Sequence, residues 1–173
     1  MQFLRDLALA HQKHEGWFPG SLSQRNNNPG NLRLTPYQKR AYGAVAGSGG
    51  FSKFPTYDIG FNALMDDLKA KIRGNSAHIN YSRNPTFLDY VKVYAPAEDR
   101  NNPNSYTQAL VRDLVKYGVT TSTPLSDLAK LISQPERIPV FNPREALRRL
   151  ARLIERAVGA RLERLQRRQE EVS

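Results

Sequence analysis

Over residues 2–14 the apolar side chains Phe3, Leu4, Leu7, Ala8 and Ala10 recur at helical spacing, with His11 among them. The first element is therefore expected to be an amphipathic helix. Gly16 and Pro19 end it, which leaves Glu15 at or just past its C-terminus. The period is lost over residues 20–57. Gly20, Pro29, Gly30, Gly43, Gly47, Gly49 and Gly50 punctuate short extended pieces at Asn31–Leu34 and Phe51–Phe54. This stretch reads as a small hairpin or loop lobe with one long, mobile glycine-rich turn, AYGAVAGSGG.

The helical period then returns. Phe61, Leu64, Leu68 and Ile72 define a helix, with Asp58 expected as its cap. In NPTFLDYVKVY, Asn84 reads as a cap and Pro85 as the first helical residue. Asn102-Pro103 repeats the signal before Tyr106–Tyr117, which Gly118 stops, and Thr123-Pro124 repeats it before LSDLAKLI. Near residue 135 the pattern changes. A Pro-rich connector at 135–142 precedes Leu147, Ala151, Ile154, Val158, Leu162 and Leu165, spaced as one long amphipathic helix. The expected organisation is a mainly α-helical domain with a small β-hairpin lobe at 1–134, the connector, and a C-terminal helix at 143–173.

Composition narrows the chemistry. The 173 residues contain no cysteine, so disulfides and thiolate chemistry are excluded. Three histidines, two of them in AHQKH, make a poor metal set, and AEDRNNPN lacks the ligand spacing of an EF-hand loop. No metal and no cofactor are expected. No apolar run approaches the roughly 20 residues of a membrane helix. The N-terminus carries Arg5, Asp6 and Lys13 among its apolar residues and does not read as a signal peptide. The formal charge of +10 suits a polyanionic partner without choosing among nucleic acid, anionic lipid and cell-wall polymer.

Acidic residues are distributed unevenly. After Glu15, in HEGWFPG, the 42 residues from Gly16 to Tyr57 hold no Asp or Glu but five Lys or Arg. A lone carboxyl group at a helix end, beside a polar, aromatic and basic lobe, is the arrangement a single-acid sugar-cleaving enzyme needs. The partial negative charge of the helix C-terminus disfavours a carboxylate, and neighbouring Trp17 and Phe18 are expected to add desolvation. A group kept protonated in this way can protonate a poor leaving-group oxygen.

Three segments carry a resemblance: HEGWFPGSLSQRNNNPGNLR, FSKFPTYDIGFNALMDDL and YVKVYAPAEDRNNPNSYTQALVRDLVKYGV. Together, over about residues 3–120, they resemble the lysozyme-like superfamily, with the nearest likeness to phage-type lytic transglycosylases and flagellar-type glucosaminidases. The resemblance implies a lysozyme-like helical fold and cleavage of the MurNAc–GlcNAc backbone of peptidoglycan. It carries Glu15 over as the catalytic acid and Tyr106, with Tyr94 as a weaker match, as cleft-lining tyrosines. Hydrolases of this kind generally use two carboxylates. Because the lobe has none, the lone acid favours a transglycosylase that closes the MurNAc 6-hydroxyl onto C1. Muramidase or glucosaminidase hydrolysis stays open if Glu98, Asp99 or Asp58 reaches the cleft, although Asp58 also suits a helix cap. Asn28 and Asn31 read either as sugar ligands or as turn formers around Pro29-Gly30. Arg25 and Arg33 read either as partners of lactyl or peptide carboxylates or as solvated surface.

The C-terminal segment holds nine Arg and no Lys beyond the connector, whereas all eight Lys precede it. No aromatic residue follows Phe141, and interspersed glutamates dilute the charge, which disfavours membrane anchoring and base stacking. A protein partner, such as a virion or secretion assembly, is the expected role of this helix, and nucleic acid is not. The sequence thus points to a peptidoglycan-cleaving enzyme of a phage particle or lysis system, delivered to the cell wall. A non-catalytic wall-binding or virion structural protein is the alternative.

Overall fold

A computed structural model describes residues 2–99 and 101–134 of the chain. The connector and the Arg-rich helix expected at 143–173 lie outside the described residues. Those described are mainly helical: α1 (Gln2–His14), α2 (Leu22–Arg25), α3 (Pro36–Tyr42), α4 (Tyr57–Ile72), α5 (Phe87–Tyr94), α6 (Pro103–Asp113) and α7 (Leu125–Ser133). The short strands β1 (Val45–Ala46) and β2 (Ser52–Lys53) pair antiparallel, Val45 opposite Lys53 and Ala46 opposite Ser52. An isolated bridge from Arg33 to Phe51 adds the 31–34 segment to their edge. The sequence places the second strand correctly. It misses α2 and α3, which at four and seven residues are too short to show a period, and β1, which a glycine-rich stretch hides.

The core forms where the apolar stripes meet. Helix α1 packs against α4, α6 and α7, and α5 packs against α6. Leu7, Leu64, Leu68, Leu110, Leu114, Leu125 and Leu128 are wholly or almost wholly removed from solvent. Each such side chain contributes about 1.5–3 kcal/mol of hydrophobic stabilisation. Fully buried His11 and Tyr90 interrupt this apolar interior.

The helix starts follow capping chemistry. Asn102 caps α6 through its side chain, with Pro103 in the first turn, as the sequence predicts. Two expected caps are displaced. Thr56, not Asp58, caps α4, and Asp58 sits in its first turn, where a negative charge favours the helix dipole. Thr86, not Asn84, caps α5 in a reciprocal capping box with Asp89. Asn84 instead adopts a left-handed φ of 50°. Thr123 does not cap α7, whose start is tied to that of α5 by Phe87 N–H to Thr123 O (2.8 Å) and Leu125 N–H to Pro85 O (2.8 Å). Helix α6 ends at Asp113, and a 3-10 turn at Val115–Tyr117 carries the chain to left-handed Gly118.

The lobe is held by its asparagines. Asn26 donates to Ser48 O (3.3 Å), and Asn27 donates to Phe54 O (3.1 Å) and Pro55 O (3.3 Å). Asn28 is fully buried, donates to Leu32 O and Ser52 O (2.9 Å each) and accepts from Leu32 N–H (2.9 Å). Against this loop lies Gly60 of α4, where a β-carbon would stand 1.8 Å from Asn27 O. Only glycine permits that approach.

Candidate active site

Helix α1 ends in a Schellman motif. Gly16 takes a φ of 73°, Trp17 N–H bonds Gln12 O (3.2 Å) and Gly16 N–H bonds Lys13 O (3.4 Å). Glu15 is therefore the residue at which the helix stops, its N–H still bonded to His11 O at 2.8 Å. The motif turns the chain away and leaves the Glu15 side chain in a cleft of about 410 Å³. Gly30, Asn31, Arg33 and Phe51 form one wall, and Val93, Tyr94, Ala95, Pro96 and Asn101 form the other. Among the described residues lining this cleft, Glu15 is the only carboxylate.

Both Glu15 carboxyl oxygens accept hydrogen bonds. The Tyr106 hydroxyl, from α6, donates to Oε1 at 2.8 Å. Asn31 Nδ2 donates to Oε2 at 3.0 Å and to the Glu15 main-chain oxygen at 3.1 Å. Asn31 reaches this position with a left-handed φ of 45°, which asparagine tolerates better than most residues. The amide has one sensible orientation, because its reverse would face two acceptors with a third. Burial raises the Glu15 pKa, outweighing the Tyr106 and Asn31 hydrogen bonds and the charge of His14, all of which lower it. The carboxyl group is thus biased toward the protonated form that proton donation requires. Phe18 is 60% exposed and desolvates little, while the Trp17 ring packs on Tyr57 with centroids 5.0 Å apart.

Behind Tyr106 lies a second layer. His11 Nδ1 is 2.9 Å from the Tyr106 hydroxyl, and His11 Nε2 is 2.7 Å from the Tyr90 hydroxyl. His11 and Glu15 stand one helical turn apart on α1, so both reach the same region. Burial lowers the His11 pKa to about 3, with His14 and Lys71 adding to the shift, so the ring is neutral near pH 7. Tyr94 donates to Gly30 O at 2.9 Å and fastens α5 to the opposite wall. A β-carbon on Gly30 would stand 2.5 Å from Leu64 Cδ1, so any larger residue there would have to push the Leu64 side chain aside.

The predicted site residues divide accordingly. Glu15, Asn31 and Tyr94 line the cleft, and Tyr106 bonds Glu15. Asn28 does not face it: the residue is fully buried and bonded to backbone, so its earlier reading as a sugar ligand is corrected to one of holding the lobe. Arg25 is exposed, bonds Gly20 O and does not line the cleft, because α2 turns it outward. Arg33 does line it, with its guanidinium 5.0 Å over the Phe51 ring. Asp58 and Glu98 are exposed and absent from the lining, and the Asp99 side chain lies outside the described residues. Sequence reasoning missed His11 and Tyr90. A histidine on the apolar face of the helix, one turn before the acid, was the signal for the first. Nothing local marked the second. No group of His, Asp or Glu suited to a metal occurs among the described residues, and no helix there is long and apolar enough to cross a membrane.

No family model, curated protein or solved structure matches this chain.

Proposed function

We propose that this protein cleaves the MurNAc–GlcNAc backbone of bacterial peptidoglycan as a lytic transglycosylase of lysozyme-like fold, with Glu15 as its single acid and base. One observation carries the reading: the cleft holds a carboxyl group of raised pKa, cradled by Tyr106 and Asn31, and no second carboxylate among its described lining. Two-carboxylate hydrolysis needs a partner about 5–10 Å away. A transglycosylase does not.

In this mechanism protonated Glu15 gives its proton to the glycosidic oxygen as the C1–O bond breaks. The resulting carboxylate then takes the proton of the MurNAc 6-hydroxyl, whose oxygen bonds C1. No water is consumed, the product carries a 1,6-anhydro ring, and Glu15 ends protonated as it began. Tyr106 and Asn31 stabilise the transient carboxylate by donating to both of its oxygens. Arg33 supplies positive charge in the cleft for lactyl or peptide carboxylates, and the +10 charge of the chain favours an anionic polymer.

The test is digestion of purified sacculi followed by mass spectrometry of the released muropeptides. Anhydro-MurNAc ends are expected from the parent and no release from Glu15→Gln. Reducing MurNAc or GlcNAc ends would replace this mechanism with hydrolysis. Clearing by Glu15→Gln equal to the parent's would remove Glu15 from the chemistry.

A further inference from the structure

Tyr90, His11, Tyr106 and Glu15 form a chain of hydrogen bonds whose protons can be counted. Tyr90 is fully buried, and among the described residues its hydroxyl has one partner, His11 Nε2 at 2.7 Å. If the phenol accepted from that nitrogen, its own hydrogen would be buried without an acceptor, which is the expensive arrangement. The phenol therefore donates and Nε2 accepts. A neutral ring then carries its proton on Nδ1, which donates to the Tyr106 oxygen across 2.9 Å. The single Tyr106 hydrogen is left for Glu15 Oε1 at 2.8 Å. On the other side the main-chain oxygen of Glu15 fixes the Asn31 amide, which donates to Oε2. Both neighbours of the carboxyl group are donors, and neither can take its proton.

We propose that Tyr90 and His11 are positioning residues for Glu15: the buried phenol locks His11 in its Nδ1–H form, which turns the Tyr106 hydroxyl toward Glu15 and keeps the Glu15 proton facing the cleft. This rests on the reading of Glu15 as the proton donor to substrate. Without the lock, the reverse order becomes available, in which Glu15 donates to Tyr106, Tyr106 donates to Nδ1, and the acidic proton is withdrawn from substrate. The surroundings keep the ring neutral. The ring is fully buried, the charges of His14 and Lys71 oppose a further positive charge on it, and the nearby carboxylates Asp113 and Asp67 are already paired with those two residues. With a pKa near 3, His11 does not charge in the range where Glu15 titrates.

Nitrogen NMR of the full chain with isotope-labelled histidine tests the proton order directly, because the protonated and bare ring nitrogens give widely separated signals. His14→Gln and His78→Gln assign the remaining resonances to His11. The expected result is an Nδ1–H ring from about pH 4 to about pH 8, unchanged as Glu15 ionises. In Tyr90→Phe the two neutral forms should mix, and kcat on sacculi should fall about twofold at unchanged KM as the productive form drops to roughly half the population. An Nε2–H or charged ring in the parent would overturn the proposal. So would a Tyr90→Phe protein that keeps both the Nδ1–H form and its kcat. A parent with the Nδ1–H ring that leaves sacculi intact would instead strike down the proposed function while the proton order stood.

Discussion

Replacing Tyr106 with Phe removes one oxygen and breaks two hydrogen bonds at once. The hydroxyl donates to Glu15 Oε1 at 2.8 Å and accepts from His11 Nδ1 at 2.9 Å. His11 is fully buried and cannot turn to water. If it keeps its proton on Nδ1, that N–H is left without a partner. If it moves the proton to Nε2, the Tyr90 hydroxyl loses its acceptor instead. Either way one buried donor is orphaned, at about 1–3 kcal/mol, and a hydrogen bond to a chargeable group worth about 1.5–3 kcal/mol is lost. The two penalties overlap, because Glu15 relieves part of its own by protonating. A destabilisation of about 3 kcal/mol is expected near pH 7. Urea unfolding measures it as a lower midpoint at unchanged slope. The same substitution removes an interaction that lowers the Glu15 pKa, so the basic limb of the activity profile should move to higher pH. A stability loss below about 0.5 kcal/mol would show that the Tyr106 hydroxyl is not the link between His11 and Glu15.

Three further outcomes follow from the same geometry. Gly60→Ala would set a methyl group 1.8 Å from Asn27 O, so a loss above about 3 kcal/mol in chemical denaturation is expected, and a near-neutral result would contradict the close approach of α4 to the lobe. Asn28→Ala abandons three buried backbone partners and should lower stability by about 3 kcal/mol, whereas a weakened KM on a fully stable protein would return Asn28 to the sugar ligands. Glu15→Gln should gain stability relative to the parent as pH rises. The folded state holds the Glu15 proton more tightly than the unfolded state does, so its contribution is complete below the ordinary value of 4.5 and is lost as pH climbs through the raised folded value. Denaturation midpoints of the two proteins from about pH 4 to about pH 7 should diverge in that direction, and a constant or opposite difference would rule out the raised pKa.

The longer helices α1, α4, α5, α6 and α7 were legible in sequence because each is built on periodicity and local signals. Leu64, Leu68 and Ile72 are buried on one face of α4, as their spacing requires. Their starts were less legible, because Asn-Pro and Thr-Pro pairs suit both a cap and an ordinary turn. Thr86 outcompetes Asn84 because Asp89 completes a capping box three residues later, which an isolated Asn-Pro cannot do. The lobe was least legible, since RNNNPGNLR contains four asparagines of one chemistry and two fates. Three of them, Asn26, Asn27 and Asn28, bond backbone within the lobe, and Asn31 alone turns to Glu15. Their spacing does not separate these roles. The side on which Glu15 approaches does.

The position of Glu15 at the residue where α1 stops does more than expose it. A carboxyl group further inside the helix would have its side chain confined to the α1 face, and one beyond Gly16 would lose its register with His11. At this position the side chain enters the cleft while His11, one turn earlier, remains in the core. A buried neutral imidazole is a poor use of core volume unless both its nitrogens are bonded. Here Tyr90 and Tyr106 bond both, and the second of them also touches the acid. The polar interruption of the core and the chemistry of the cleft are thus one structure. Substitutions at Tyr90, which never meets solvent, should therefore register in the titration of Glu15, whereas substitutions at Leu68, buried as deeply but bonded to nothing polar, should register in stability alone.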